Sequence, residues 1–298
     1  MALPQGPNEG RWPDQAFPKP DPVAAAHLRH RYGTWAVVTG AFDGIGREFA
    51  LQLGAAGQNL VLVARRQGLL DAFARELTQA YGVQTRVIAV DLATGTGADE
   101  ITARTGDVDV GLLVAAAGFG TSGPFVDGSV AEALGMIDVN CRAIAALSHA
   151  FGRRFVQRRR GGLVLMSSLV AFQGVPLAAN YAATKAYVQA LAEGLRIELK
   201  PYGVDVIASA PGPIHSGFAR RAAMTMGLAQ TPRAVAGATL RALGRWGTAR
   251  PGWLSKCLHG ALMLLPRWGR VRVMGVVMGG MTQSPPPGHT ARKPEVGR

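Results

Sequence analysis

Trp35-Ala36-Val37-Val38-Thr39-Gly40-Ala41-Phe42-Asp43-Gly44-Ile45-Gly46 is an apolar run that passes directly into a glycine-rich turn, and helical periodicity begins straight after it. A strand, a glycine turn and a helix in that order let the backbone approach a pyrophosphate, whose charge the free N–H groups and the helix N-terminus would stabilise. An ordinary βα turn can also be glycine-rich, so this stretch alone leaves both readings open. Outward from it, short β-branched runs alternate with longer helical patterns, the signature of βαβ units and a parallel sheet covered on both faces. Strands are expected at 35–39, 59–64, 84–90, 110–114, 162–166 and 204–209, with a seventh near 248–250. Several are continuously apolar, as in strands buried on both faces. Helices are expected at 44–56, 69–80, near 98–105, 129–159 and 181–200, the last stopped by Pro201 and Gly203. Another should open at Thr231-Pro232, where threonine can cap and proline suits the first turn. The expected fold class is α/β, a Rossmann-type doubly wound parallel sheet of about seven strands with helices on both faces.

A chain of 298 residues with 48% hydrophobic content supports a full core in one domain, expected over 31–283. The first 22 residues hold six prolines and no apolar run, so 1–30 reads as a disordered leader and not as a signal peptide. Residues 284–298, with three consecutive prolines, read as a disordered tail. Cys141 and Cys257 stand far apart, outside any CxxC or Cys/His cluster; neither a disulfide framework nor a zinc site is suggested, and a reducing, cytoplasmic setting fits best. No metal site is expected: His27, His30, His149, His259 and His289 show no metal spacing, while His215 could line an active-site mouth. The longest uncharged stretch, 161–184, is long enough to raise the question of a membrane span. Ser167, Ser168, Gln173, Pro176 and Asn180 inside it would each need a partner in lipid, which argues against one.

The net charge of +13 could serve nucleic acid, anionic lipid, an acidic carrier or a phosphate-rich cofactor. Arg153, Arg154, Arg158, Arg159 and Arg160 crowd the end of a predicted helix, where positive charge complements the helix dipole, and a solvated helix end is the favoured reading. No zinc finger, helix-turn-helix or aromatic-rich RNA motif accompanies the charge, so nucleic acid is not an expected partner.

Tyr181 and Lys185 sit four apart at the start of a predicted helix, so both project from one face. Hydride reduction of a carbonyl needs a proton donor at the developing alkoxide, and a phenol of pKa about 10 becomes useful when a neighbouring cation favours its anion. Tyrosine and lysine at this spacing also occur by chance on solvent-facing helices. Ser168 adds weight: it lies thirteen residues before Tyr181, just past an apolar strand, and strand ends are where open α/β sheets place ligand sites.

TGxxxGxG, Ser168 ahead of YxxxK, and Pro211-Gly212 after the sixth strand occur here in the order that resembles the short-chain dehydrogenase/reductase superfamily, in its single-domain branch, from roughly Tyr32 to Met281. The resemblance implies that Tyr181 is the general acid for reduction, that Ser168 hydrogen-bonds the carbonyl oxygen, and that Lys185 lowers the tyrosine's pKa and holds a cofactor ribose. Asn140 would complete the tetrad by supporting a proton-relaying water. For the cofactor, the same likeness implies contacts from Thr39, Gly40, Asp43, Gly44, Ile45, Gly46, Asp91, Leu92, Gly118, Tyr181, Lys185, Pro211, Gly212, Ile214 and Ser216. One departure stands out. The family commonly carries Asn-Asn-Ala-Gly after the fourth strand, and this chain has Ala115-Ala116-Ala117-Gly118, which puts local rigidity and cofactor affinity in question.

NADP(H) is the expected cofactor, because the second strand ends on Ala64-Arg65-Arg66 where an acidic residue would repel a 2′-phosphate, and guanidinium groups bind phosphate through paired hydrogen bonds. Tyr32-Gly33, Asp43-Gly44-Ile45-Gly46 and Val63-Ala64-Arg65-Arg66 resemble the subgroup of lipophilic-ketone reductases, 3-ketoacyl reductases and 17β-hydroxysteroid dehydrogenases. A lid near 213–230 would carry Phe218, Met224, Met226 and Leu228, which could meet an apolar substrate or only pack a core. The apolar, basic segment 251–283 could likewise lie weakly on a membrane surface or close the substrate pocket. A homodimer or homotetramer through the two long helices is expected, and a non-catalytic NADP(H)-binding scaffold is the alternative to an oxidoreductase.

Overall fold

The computed structural model describes residues 17–19, 22–214 and 230–282. Seven strands, β1 (Trp35–Thr39), β2 (Asn59–Ala64), β3 (Thr85–Ala89), β4 (Val110–Ala115), β5 (Gly161–Met166), β6 (Val204–Ser209) and β7 (Thr248–Ala249), form one sheet in the order β3-β2-β1-β4-β5-β6-β7. Every pairing is parallel. Successive side chains of a strand point to opposite faces, so Ala36 and Val38 join one core cluster with Phe49, Leu53 and Phe73, while Val37 joins the other with Phe151, Phe155 and Val188. That double burial is why the strands read as unbroken apolar runs.

The first face is covered by α2 (Gly44–Ala55), α3 (Gln67–Tyr81) and α8 (Pro232–Ala242), after α1 (Pro22–Tyr32) at the N-terminal side; the second is covered by α4 (Gly97–Ala103), α6 (Ala143–Arg158) and α7 (Ala179–Leu199), with α5 (Val130–Ile137) packed on α7. Thr231 caps α8 by accepting from the Ala234 N–H at 3.3 Å, with Pro232 in the first turn, as its sequence predicts. α9 (Trp253–Met263) and α10 (Arg267–Met281) complete the chain. No helix among the described residues is long and apolar enough to cross a membrane.

Two expectations are corrected. Residues 22–30 of the predicted disordered leader join 31–32 in α1, which is docked by buried Leu28 and Tyr32. Its anchor is tertiary: the Arg31 guanidinium bonds both carboxylate oxygens of Asp205 at 2.9 and 3.1 Å, and the Tyr32 hydroxyl donates to the same carboxylate at 3.0 Å. Proline-rich composition could not foretell a partner 173 residues away. The single helix predicted over 129–159 is two helices, α5 and α6, joined by a π-helical turn at Asp138–Arg142. Apolar periodicity barely differs between the two geometries, and π-bulges favour functional sites.

Four of the five arginines closing α6 have structural contacts, while Arg153 is exposed. Arg154 donates to the Thr105 and Thr102 carbonyls, Arg158 to the Val110 carbonyl and Asp109, Arg159 to the Pro201 carbonyl, and Arg160 pairs with Asp109. These side chains satisfy neighbouring loop ends, a more specific role than a solvated helix terminus.

Candidate active site

The strand order reverses between β1 and β4, which opens a crevice at the C-terminal edge of the sheet, the usual ligand position in open α/β sheets. A cavity of about 1070 Å³ occupies it. One end is the β1–α2 turn. The Asp43 carboxylate accepts from the Gly44 N–H at 2.7 Å and caps α2, leaving that helix's N-terminus facing the cavity. Gly40 adopts φ +65°, and a Cβ there would sit 3.0 Å from the Ala117 backbone, while a Cβ on Gly46 would collide with the Gly40 carbonyl. The turn therefore packs so tightly that only glycine fits, and it presents bare backbone to a phosphate-bearing ligand. Thr39 sits behind it, its Oγ1 accepting from the Ala117 N–H at 3.0 Å. This hydroxyl ties β1 to the segment after β4, where the family's asparagine is missing.

Arg65 and Arg66 stand exposed at the rim beyond β2 and line the cavity. Arg65 lies 4.0 Å from the Asp91 carboxylate, and Arg66 stacks over the Phe42 ring at 4.0 Å from its centroid. Asp91 also accepts from the Ala93 N–H at 2.9 Å, which fixes the loop after β3 beside Leu92. A glycine cradle, a helix N-terminus and two guanidinium groups at the far rim fit a dinucleotide carrying a ribose phosphate.

The chemistry-bearing side chains meet in the middle of the cavity. Ser168 follows β5 and starts a 3₁₀ turn (Leu169–Phe172), and Tyr181 and Lys185 project together from α7. Ser168 and Tyr181 share a hydrogen bond, whose effect lowers the phenol's pKa, yet burial dominates and pushes it up to about 12. Lys185, buried, donates from Nζ to the Met166 carbonyl at 2.8 Å and lies 5.7 Å from the Tyr181 ring centroid. Desolvation pushes its ammonium down to about 8. The hydrogen bond with Ser168 is the influence that favours the phenolate here, and burial outweighs it.

Asn140 lies within the π-helical turn and is fully buried. Its Oδ1 accepts from the Phe119 N–H at 3.1 Å, and its Nδ2 donates to the Phe119 carbonyl at 2.9 Å and to Thr184 Oγ1 at 3.1 Å. Only the second lone pair of Oδ1 is left to hold the relay water that the resemblance implies. The side chain instead shapes the backbone beside Gly118, where a Cβ would meet Asn140 Oδ1 at 3.0 Å and Lys185 Nζ at 3.4 Å.

Of the sequence-predicted residues, Gly40, Asp43, Gly44, Ile45, Gly46, Arg65, Arg66, Asp91, Leu92, Gly118, Ser168, Tyr181, Lys185, Pro211, Gly212 and Ile214 line this one cavity. Thr39 and Asn140 hold it from behind. Ser216, His215 and the lid residues Phe218, Met224, Met226 and Leu228 lie outside the described residues. Sequence reasoning missed Phe42, Thr184 and Ser255. Buried Ser255 accepts from the Gly212 N–H at 3.1 Å and from Gln230 Nε2 at 2.9 Å, holding the Pro211-Gly212 segment from α9. Nothing near Ser255 in the sequence signals this. The far wall is apolar: Leu262 from α9 and Val273, Met274, Val277, Met278 and Met281 from α10 line the cavity. This segment therefore closes the pocket at its apolar end.

A doubly wound sheet with a Ser-Tyr-Lys centre at its switch point defines a nucleotide-dependent α/β class, and solved structures bear this out. A 7β-hydroxysteroid dehydrogenase superposes with a TM-score of 0.78 at 26% identity, covering 83% of this chain and 98% of its own. A short-chain dehydrogenase from Sphingobium yanoikuyae in complex with NADPH gives a TM-score of 0.71 at 29% identity, with 78% and 97% covered. The family model of the short chain dehydrogenases matches residues 34–226, and the chain belongs to that family. A very-long-chain 3-oxoacyl-CoA reductase of Aspergillus terreus is 37% identical over 226 residues, 74% of this chain. The match spans 64% of that relative's length.

Proposed function

We propose that the chain is an NADP(H)-dependent oxidoreductase that reduces a ketone to a secondary alcohol, or runs the reverse reaction, on a lipophilic substrate. The observation that carries this reading is the Ser168–Tyr181 hydrogen bond beside Lys185, in a cavity bounded by a glycine cradle at one end and by α9 and α10 at the other. When bound, the cofactor supplies the hydride. Tyr181 keeps its proton at neutral pH and can deliver it to the carbonyl oxygen as charge develops there. Ser168 holds the same oxygen, and the Lys185 ammonium, charged below about 8, stabilises the phenolate left behind.

Arg65 and Arg66 support NADP(H) over NAD(H), since an adenosine 2′-phosphate at the end of β2 would meet two guanidinium groups. The NADPH complex of the Sphingobium yanoikuyae neighbour and the acyl substrate in the Aspergillus terreus relative's name point the same way on cofactor and substrate. The reading also takes 31–283 as one catalytic domain in a cytoplasmic setting, in which the two cysteines, 116 residues apart in sequence, stay reduced. Self-association into a dimer or tetramer is supported by apolar side chains exposed on α5 and α7, among them Val130, Leu134, Tyr187 and Ile197.

NADPH consumption against steroids, 3-ketoacyl thioesters and simple aromatic ketones tests the reaction and its substrate class together. The native protein should favour NADPH over NADH by at least about tenfold in kcat/KM, and R65A/R66A should lose most of that preference. No turnover with any ketone would refute the activity, and equal use of both cofactors would refute the role of the two arginines.

A further inference from the structure

α10 has three kinds of surface. Met274 and Met278 are buried toward the cavity, Val273 and Val277 line the cavity while remaining 41% and 43% exposed, and Trp268 and Val276 stand out at 67% and 80% exposure. Trp268, Arg272 and Val276 follow at four-residue spacing, one stripe of the helix, with the Arg272 guanidinium 5.4 Å from the Trp268 ring centroid. The corner between α9 and α10 adds Leu264, 87% exposed, and is braced by Arg270, whose Nε donates to the Leu265 carbonyl at 2.9 Å. A helix apolar on nearly every side is expected to be covered, yet this one shows water a Trp, a Leu and valines.

Charge says what covers it. Between residues 206 and 294 the chain has no Asp or Glu and twelve Lys or Arg, so almost the whole net charge of +13 resides in that part of the sequence. Arg267, Arg270 and Arg272 lie on or beside the exposed stripe. Apolar side chains flanked by arginines, with no acid in the segment, complement anionic headgroups over acyl chains. Tryptophan is also a side chain that settles at the headgroup level.

We propose that the α9–α10 corner and the outer stripe of α10 dock on an anionic membrane surface, with Leu264 and Trp268 entering the interface. The rim valines Val273 and Val277 then continue the apolar surface from bilayer to cavity, giving a lipophilic ketone a path that avoids water. The path, though not the docking, rests on the proposed activity.

The test is flotation of the full chain with vesicles of phosphatidylcholine alone and with about a third phosphatidylserine, at low and high salt. The native protein should float with the anionic vesicles and be released by salt, and L264E/W268E should bind at least about tenfold more weakly. That variant should turn over a water-soluble ketone at the native rate, since neither residue lines the cavity. R267Q/R272Q, which leaves the apolar residues in place, should lose the preference for anionic vesicles. Native protein left in the unbound fraction, or binding unaffected by both variants, overturns the proposal. So does a fall in native oligomer mass on L264E/W268E, which would make this face a contact between copies. Protein that floats yet reduces no ketone would sink the activity and leave the docking standing.

Discussion

Tyr181 and Lys185 are driven in opposite directions by the same cause, because a wall that excludes water disfavours charge on either group. Lys185 falls from 10.5 to about 8, so below pH 8 its buried ammonium costs the native state on the order of 3 kcal/mol. Between pH 8 and 10.5 the unfolded chain holds that proton and the native protein does not, so the lysine's contribution to stability rises with pH across this window. K185M should flatten the rise, as read by denaturant unfolding at several pH values; an unchanged slope would mean that the ammonium is not buried as described. Tyr181 works the other way, because between pH 10 and about 12 the native protein holds the proton that the unfolded chain has lost, and stability falls as pH rises. Y181F should remove that fall. It should also cut kcat by about a thousandfold or more while cofactor still binds, since ring packing is kept and only the transferable proton goes. Near-native turnover in Y181F would remove the tyrosine from its assigned role.

At the scale of elements, the β1–α2 turn is held by contact. G46A places a methyl group against the Gly40 carbonyl, and either the turn opens or α2 shifts. The expected cost is about 1–3 kcal/mol of stability, together with at least about tenfold weaker cofactor binding by fluorescence titration. G68A, in the first turn of α3 with open space around it, is the matched control and should leave both quantities unchanged or slightly improved. The π-helical turn between α5 and α6 is the other element with a task, since it places Asn140 where one amide grips both backbone groups of Phe119.

For the whole molecule, the cofactor end of the cavity is built from the strand ends and the opposite wall from the C-terminal helices, so the two halves can be altered separately. M278W should fill part of the apolar wall. It should lower kcat/KM for a steroid-sized ketone by at least about tenfold while changing a small ketone by less than about threefold. Equal losses on both would place Met278 in the general fold and not at the substrate.

The residues themselves determined the sheet, the glycine turn and the Ser-Tyr-Lys centre, because each is announced by short-range pattern: apolar runs, a turn that admits only glycine, and a four-residue helical spacing. The methionines of the far wall were not singled out, because nothing local says that they face a cavity. Partnership across long stretches of chain was the part left to tertiary structure. Tyr32 is ordered by Asp205, Ala117 is tied by Thr39, Gly212 is held by Ser255, and the pKa of Tyr181 is raised, not lowered. In each case the deciding quantity is a distance or a loss of water. Neither is encoded in local periodicity, and both exist only once the sheet has brought remote segments together.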